Sequence, residues 1–218
     1  MKHLGRALWR VAVVVTASWL ACAAAGAQNV SLPTPIKDPL KAPLKDPPQA
    51  PLQLPLTTES YLIPSRDRGV QLYVRNKRPQ AMTQFSAART VLFVHGATYP
   101  SETSFDLEVG GFSWMDYLAQ RGWDAYLMDV RGYGRSTRPP EMSQPPHTHP
   151  PIANTDVAVR DLGAVVDHIL ARRGIARLSL IGWSWGTSIV GGYAAESSAK
   201  VERLVLYAPI WTDRKSVV

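Results

Sequence analysis

The sequence predicts an α/β fold with a mostly parallel central sheet flanked by helices. Short apolar runs without polar alternation are typical of strands that helices cover on both faces, and four occur, at residues 90–94, 125–129, 178–182 and 203–208. Helical patterns lie between them, most clearly at residues 155–173. Strands that alternate with helices along a chain form parallel sheets.

The first 27 residues have the pattern of a secretory signal peptide. Lys2, Arg6 and Arg10, with no acidic residue among them, precede an apolar stretch at 11–25 that ends in small residues up to Ala27. The stretch is shorter than the roughly 20 residues of a membrane-spanning anchor. We expect cleavage after Ala27, export to the periplasm or the medium, and no stable membrane span afterwards.

Cys22, the single cysteine, lies within this signal. A lipid anchor on Cys22 is disfavoured because Trp19 stands where lipoprotein signals usually carry leucine. Cleavage would leave a chain without cysteine, which excludes a disulfide framework and a cysteine metal site. It would also lower the formal net charge from +7 to +4. The remaining basic residues are interspersed with acidic ones, so no nucleic-acid surface is predicted.

Residues 28–57 form a proline-rich linker in which residues 37–44 are nearly repeated at 45–52. Proline lacks the amide hydrogen that helices and sheets need. We interpret the segment as a stiff, extended spacer between the signal and the domain. The alternative is a ligand for a proline-recognising partner or for the cell wall.

The predicted domain, residues 58–218, begins with a hairpin. Residues 59–63 and 70–75 alternate apolar and polar side chains on either side of a turn at 65–69, which predicts an antiparallel pair at a sheet edge. The clearest helix, residues 155–173, starts from Asn154 or Thr155 and stops at Gly174.

The strongest candidate for chemistry is Ser184, at the centre of Gly-Trp-Ser-Trp-Gly. The motif directly follows the predicted strand 178–182 and opens a helix-like stretch at 187–199, which is the context of a nucleophile elbow. Side chains in place of Gly182 and Gly186 would clash in so tight a turn. The motif alone also occurs in glycine-flanked surface turns, so further features are needed.

Two such features precede the elbow. His95-Gly96 ends one predicted strand, and Asp129-Val130-Arg131-Gly132-Tyr133-Gly134-Arg135-Ser136 follows the next. Together with the elbow, these features come in the order found in the α/β-hydrolase fold family, which the sequence resembles over residues 58–210. Within that family, Ser-Trp-Gly and the arginine-glycine loop are similar to proline iminopeptidases.

The resemblance implies roles for several residues. The backbone amides of Ala97 and Trp185 would form the oxyanion hole. Asp129 and Arg131 would brace neighbouring turns, and His95 would brace its loop rather than act as the base. Epoxide hydrolases and haloalkane dehalogenases place aspartate at the elbow centre, so Ser184 disfavours those reactions.

The pattern breaks after Ser184. In this family the acid and then the histidine follow the serine, and no histidine follows Ser184 in this chain. We therefore expect the N-terminal portion of the fold only, with a C-terminally truncated domain whose last strand is an unpaired edge. Asp213 follows that strand, but the residues around it have no fold pattern, which disfavours it as the acid.

The sequence thus predicts an exported serine hydrolase that acts on a small-molecule ester or amide through an acyl-enzyme on Ser184, without cofactor or metal. His147 and His149 lie in a proline-rich loop that lacks further metal ligands, and His168 is expected on a helix, partly solvated. The alternative is a non-catalytic exported binding or wall-associated module on the same scaffold, or an inactive fragment. The sequence does not determine the oligomeric state.

Overall fold

The computed structural model describes residues 53–210. The predicted signal peptide, most of the linker and Asp213 lie outside this range. One six-stranded sheet organises the described part, with strand order β1-β2-β4-β3-β5-β6. Its strands are β1 (Leu56–Pro64), β2 (Gln71–Pro79), β3 (Thr90–Val94), β4 (Asp124–Met128), β5 (Leu178–Trp183) and β6 (Val201–Tyr207).

The first two strands form the predicted antiparallel hairpin, and β2 also pairs antiparallel with β4. Strands β4, β3, β5 and β6 are mutually parallel. The hairpin is longer than predicted. It begins at Leu56, before the predicted domain start at residue 58, because Gln120 hydrogen-bonds both backbone groups of Leu54 and holds the incoming chain.

Among the described residues, four α-helices cover the two faces of the sheet: α1 (Ser101–Phe105), α2 (Trp114–Ala119), α3 (Thr155–Arg173) and α4 (Trp185–Glu196). Alternate residues of each central strand enter different cores. In β3, for example, Leu92 and Val94 pack in the core beneath α3 and α4. Val91 and Phe93 pack in the core beneath α1 and α2. This double coverage explains the continuous apolar runs in the sequence.

Helix α3 has the bounds that the sequence predicted. The Asn154 side chain accepts a hydrogen bond from the Val157 amide, and Gly174 ends the helix in the left-handed conformation at φ +64°. Helix α4, in contrast, begins at Trp185 rather than at the predicted residue 187 and ends at Glu196 rather than 199. It starts directly after Ser184 because the elbow turns the chain within a single residue.

The last described strand, β6, pairs only with β5 within residues 53–210. Its side chains are exposed from Arg203 onward, and those of Leu204, Val205, Leu206 and Tyr207 are between 39% and 55% exposed. Within this range β6 therefore has a pairing partner on one side only. No helix among these residues has the length and apolar character that a membrane span requires.

A buried ion pair ties the loop after β4 to α3. The Arg131 guanidinium donates to both carboxylate oxygens of Asp161, at 2.8 and 2.5 Å, and Ser65 Oγ donates to the same carboxylate at 2.8 Å. Asp161 is fully buried. The hydrogen bond to Asp161 holds the pKa of Arg131 above the usual range of an arginine. The pair is bidentate, so it fixes the orientation of the guanidinium, and with it the position of the loop, in addition to pairing opposite charges.

We expect Asp161→Ala to lower the free energy of unfolding by about 3–5 kcal/mol, because it leaves a largely buried guanidinium without its main partner. Urea denaturation measures this change. The matched control is Asp167→Ala, also on α3 and paired with Arg66 and Lys200, but with its side chain 41% exposed. Its loss should cost no more than about 1 kcal/mol. Equal losses of unfolding free energy in the two variants would contradict the conclusion that the buried Arg131–Asp161 pair matters more for stability than the exposed pairs of Asp167.

Candidate active site

Ser184 lies at the junction of β5 and α4 in a strained conformation. Its backbone is at φ +53° and ψ −120°, a region that residues with a β-carbon rarely adopt. The Ser184 amide donates to the Tyr207 carbonyl at 3.0 Å, and the Ser184 carbonyl accepts from the Thr187 amide at 2.9 Å. Neighbouring elements thus hold this residue in place, and its side chain is only half-buried.

The glycines on either side leave no room for side chains. A β-carbon on Gly182 would lie 2.4 Å from the Gly186 carbonyl oxygen. One on Gly186 would lie 2.3 Å from the Val94 carbonyl oxygen and 2.7 Å from that of His95. These contacts are with backbone, which cannot rotate away. They match the steric reason that the sequence suggested for both glycines.

The loop after β3 runs against Ser184. A β-carbon on Gly96 would lie 3.1 Å from the β-carbon of Ser184, so only glycine allows this approach without displacement. Ala97, the next residue, is exposed, and within residues 53–210 its amide donates to no protein acceptor. Trp185 is the first residue of α4, and the first amides of a helix have no intrahelical partner. The two predicted oxyanion donors thus belong to residues that directly follow Gly96 and Ser184, which approach each other closely.

His95 is fully buried beneath this loop and bonds only to backbone. Its Nε2 accepts from the Val130 amide at 3.1 Å, which places the proton on Nδ1. Nδ1 then donates to the Gly96 carbonyl at 2.6 Å. Burial lowers the pKa of His95, so the ring stays neutral. Both ring nitrogens are occupied, which gives His95 the geometry of a loop brace and leaves none free to take a proton from Ser184.

The Gly96 carbonyl held by His95 belongs to the same peptide unit as the Ala97 amide. A trans peptide is planar, with its oxygen and its hydrogen on opposite sides. The hydrogen bond from Nδ1 therefore also sets the direction of the Ala97 N–H. This geometry connects a buried side chain to the orientation of an oxyanion donor.

The aspartate of the loop motif braces two turns. One carboxylate oxygen of Asp129 accepts from the Ser101 amide at 2.8 Å, at the start of α1, and the other accepts from the Arg135 amide at 3.0 Å. A β-carbon on Gly134 would lie 2.0 Å from that second oxygen. Asp129 and Arg131 thus contact the turns around the site and not Ser184 itself.

The two tryptophans of the elbow lie on opposite sides of the sheet. Trp183 packs with the core under α1 and α2. It also lines an open cleft of about 530 Å³ with Tyr99, Thr103, Ser104, Phe105, Trp114 and Tyr207. Trp185 packs against the core under α3 and α4, and its indole donates to Thr155 Oγ1 at 3.0 Å. Of the two, only Trp183 lines this cleft.

The other histidines within residues 53–210 stand apart from this arrangement. His149 hydrogen-bonds Gln144 within the proline-rich loop, and His147 is exposed there. His168 lies on α3 against the ring of Tyr61, with 5.5 Å between ring centroids. Burial lowers the pKa of His168. Within residues 53–210 no group of three or more potential metal ligands comes together.

Sequence reasoning did not assign a role to Tyr133. It lies within the quoted loop motif, yet its hydroxyl donates to the Ala97 carbonyl at 2.9 Å. Motif spacing places Tyr133 near the site, because carboxyl ends of neighbouring parallel strands share one edge of the sheet. It does not show where the hydroxyl points.

Comparison with solved structures supports the fold. The structure is similar to the epoxide hydrolase VrEH1 from Vigna radiata, with a TM-score of 0.53 and 20% identity over 74% of this chain and 43% of that one. It is also similar to a predicted CIB-like hydrolase from Thermoplasma acidophilum, with a TM-score of 0.51 and 18% identity over 73% of this chain and 67% of that one. At these identities the likeness shows the fold alone.

The chain spans less than half the length of the Vigna radiata epoxide hydrolase. A search of curated proteins found no match. The family model described as alpha/beta hydrolase fold matches residues 89–216, which is more than half of the chain and includes the elbow, the His95 loop and the Asp129 loop. The chain therefore belongs to the α/β-hydrolase fold family.

Proposed function

We propose that the protein is an exported serine hydrolase that cleaves small-molecule esters or amides through an acyl-enzyme on Ser184. The observation that carries the proposal is the strained elbow, which holds Ser184 against the glycine loop with two backbone amides beside it. Backbone strain of this kind costs about 1–3 kcal/mol and persists at functional sites. Export rests on the sequence pattern of residues 1–27, which lie outside the described range.

In the proposed reaction Ser184 Oγ attacks the substrate carbonyl carbon, and its proton passes to a general base. The carbonyl π electrons move to oxygen, and the resulting oxyanion accepts hydrogen bonds from the Ala97 and Trp185 amides. Collapse of this intermediate expels the alcohol or amine, which takes up the proton, and leaves an ester on Ser184. Water then attacks this acyl-enzyme in the same way and releases the acid.

The identity of the nucleophile separates this proposal from the reaction named for the solved neighbour. VrEH1 is an epoxide hydrolase, and the family resemblance implies an aspartate at the elbow for that reaction. A serine alkoxide suits acyl transfer, in which the ester intermediate is hydrolysed at its carbonyl carbon. We therefore propose carboxylic ester or amide bonds, and not epoxides, as the substrate.

The second candidate is a non-catalytic binding module on the same scaffold. It is favoured by one observation: within residues 53–210 no histidine hydrogen-bonds Ser184, and both ring nitrogens of His95 are bonded to backbone. The strained elbow favours the enzyme, because a binding scaffold gains nothing from an unusual backbone at a serine. The two candidates differ in whether Ser184 is reactive.

A fluorophosphonate probe is expected to label the protein on Ser184, because the reagent phosphorylates activated serines. Ser184→Ala should abolish labelling, and mass spectrometry of the digested protein should locate the adduct on the peptide that contains Ser184. The matched control is Ser188→Ala on the following helix, which should be labelled like the wild type. A folded wild type that remains unlabelled would favour the binding module.

We expect the free energy of unfolding to fall as the pH drops below about 6.5, the ordinary pKa of the imidazole. Because burial lowers the pKa of His95 in the folded state, only the unfolded chain binds this proton, and stability decreases by up to about 1.4 kcal/mol per pH unit. His168 contributes with the same sign.

Urea denaturation of wild type and His95→Gln between pH 7.5 and about pH 5 isolates the His95 contribution. The unfolding free energy of the variant should depend less steeply on pH, because unfolding takes up about one proton fewer. An equal slope in wild type and His95→Gln would show that His95 is not held neutral in the folded protein.

A further inference from the structure

Tyr133 contacts both sides of the candidate oxyanion hole. Its hydroxyl donates to the Ala97 carbonyl at 2.9 Å. Its ring packs against His95, with 4.7 Å between centroids, and lies beside Trp185, with 6.0 Å between centroids. One side chain therefore touches the loop that carries one predicted donor, the histidine that orients it, and the residue that carries the second.

The hydroxyl acts on a different peptide unit from His95. His95 holds the Gly96 carbonyl, and hence the peptide before Ala97, while Tyr133 holds the Ala97 carbonyl, and hence the peptide after it. Holding both flanking peptides fixes both backbone dihedrals of Ala97, because φ and ψ are the only soft rotations between them. Residues 97–99 are exposed, so few packing contacts constrain them otherwise.

Tyr133 is itself firmly positioned. Its amide donates to the Val130 carbonyl at 3.0 Å. The glycines on either side, Gly132 and Gly134, have positive φ angles of +84° and +48°, which turn the chain so that the ring reaches the loop after β3. Burial raises the pKa of the Tyr133 phenol, so the hydroxyl keeps its proton and remains a donor near neutral pH.

The other contact of the ring is anchored as well. Trp185 donates its indole hydrogen to Thr155 Oγ1 at the first residue of α3, so this ring is tied to a long helix. Tyr133 contacts both this ring and that of His95. Its ring therefore packs against both the elbow and the loop after β3, while its hydroxyl holds the Ala97 carbonyl of that loop.

We propose that Tyr133 is a positioning residue for the oxyanion hole, which holds the Ala97 amide in its catalytic orientation relative to the Trp185 amide. The proposal rests on the hydrolase function proposed above. Tyr133 does not touch the substrate in this mechanism. Its hydroxyl preorganises a donor, and preorganised donors stabilise the transition state more than the ground state.

The test compares Tyr133→Phe with wild type in the full chain, because the substitution removes the hydroxyl and keeps the ring. Hydrolysis of p-nitrophenyl acetate should show kcat reduced about tenfold with KM unchanged. This is less than the 10²–10³-fold loss that follows removal of a whole donor. A merely structural role would lower the melting temperature without this separation of kcat from KM.

A second readout is independent of activity. Ala97-Thr98 is the single Ala-Thr pair in the sequence, so a sample labelled with carbonyl ¹³C in alanine and ¹⁵N in threonine gives one amide correlation, from that peptide. Tyr133→Phe should shift this signal because the Ala97 carbonyl loses its hydrogen bond. Tyr126→Phe is the matched control. It deletes a buried hydroxyl that has no partner among the described residues, and it should leave both the signal and kcat unchanged.

A shifted signal together with reduced kcat supports the proposal. An unshifted signal in Tyr133→Phe overturns it, and so does a shifted signal with unaltered kcat. A wild type that hydrolyses nothing would refute the proposed hydrolase instead. In that case the signal alone decides whether Tyr133 holds the Ala97 peptide.

Discussion

The close approach of the elbow to the end of β3 is the constraint on which the site depends. Gly186 lies so near the carbonyls of Val94 and His95 that no side chain fits between them. This approach forces the chain to reverse within one residue, and Ser184 takes the unusual backbone angles. Helix α4 then begins at once, and its first amide lies beside the serine. The position of Ser184 and of the Trp185 amide thus follows from a single backbone contact, whereas the Ala97 amide is oriented by the hydrogen bond from His95 to the Gly96 carbonyl.

Buried polar groups keep the loops around this contact in place. His95, Asp129 and the Arg131–Asp161 pair are all buried, and each bonds mainly to backbone amides, carbonyls or the opposite charge. A buried polar group without partners is costly, so such networks have few alternative arrangements. Three separate loops, after β3, after β4 and before β2, are thereby fixed relative to each other.

Much of the fold could be predicted because its signals are local. Strand β3 and helix α3 have the predicted bounds, since an uninterrupted apolar run and a capped helical pattern are visible in the sequence. Helices α1 and α2 were not predicted individually, because five and six residues are too few to show periodicity. The start of α4 was placed two residues late because an elbow has no capping signal.

The sequence indicated which residues make up the candidate site, but not where their side chains point. The motif spacing indicates Ser184, its glycines and the two amides, because their positions depend on a tight backbone turn, and the glycines are the sign of that turn in the sequence. The side of the sheet that each tryptophan takes, and the target of the Tyr133 hydroxyl, depend on which loops meet in space.

The same network bears on where proton transfer can occur. Every ring nitrogen of His95 is bonded to backbone, and a neutral buried imidazole with both positions occupied cannot exchange a proton without breaking the loop that it holds. His95 therefore cannot act as a general base while it braces the loop. In the proposed mechanism, a general base for Ser184 must therefore approach from a side of the elbow other than the His95 loop. The described residues would then supply the serine and two backbone donors for negative charge, while the His95 ring holds its loop and transfers no proton.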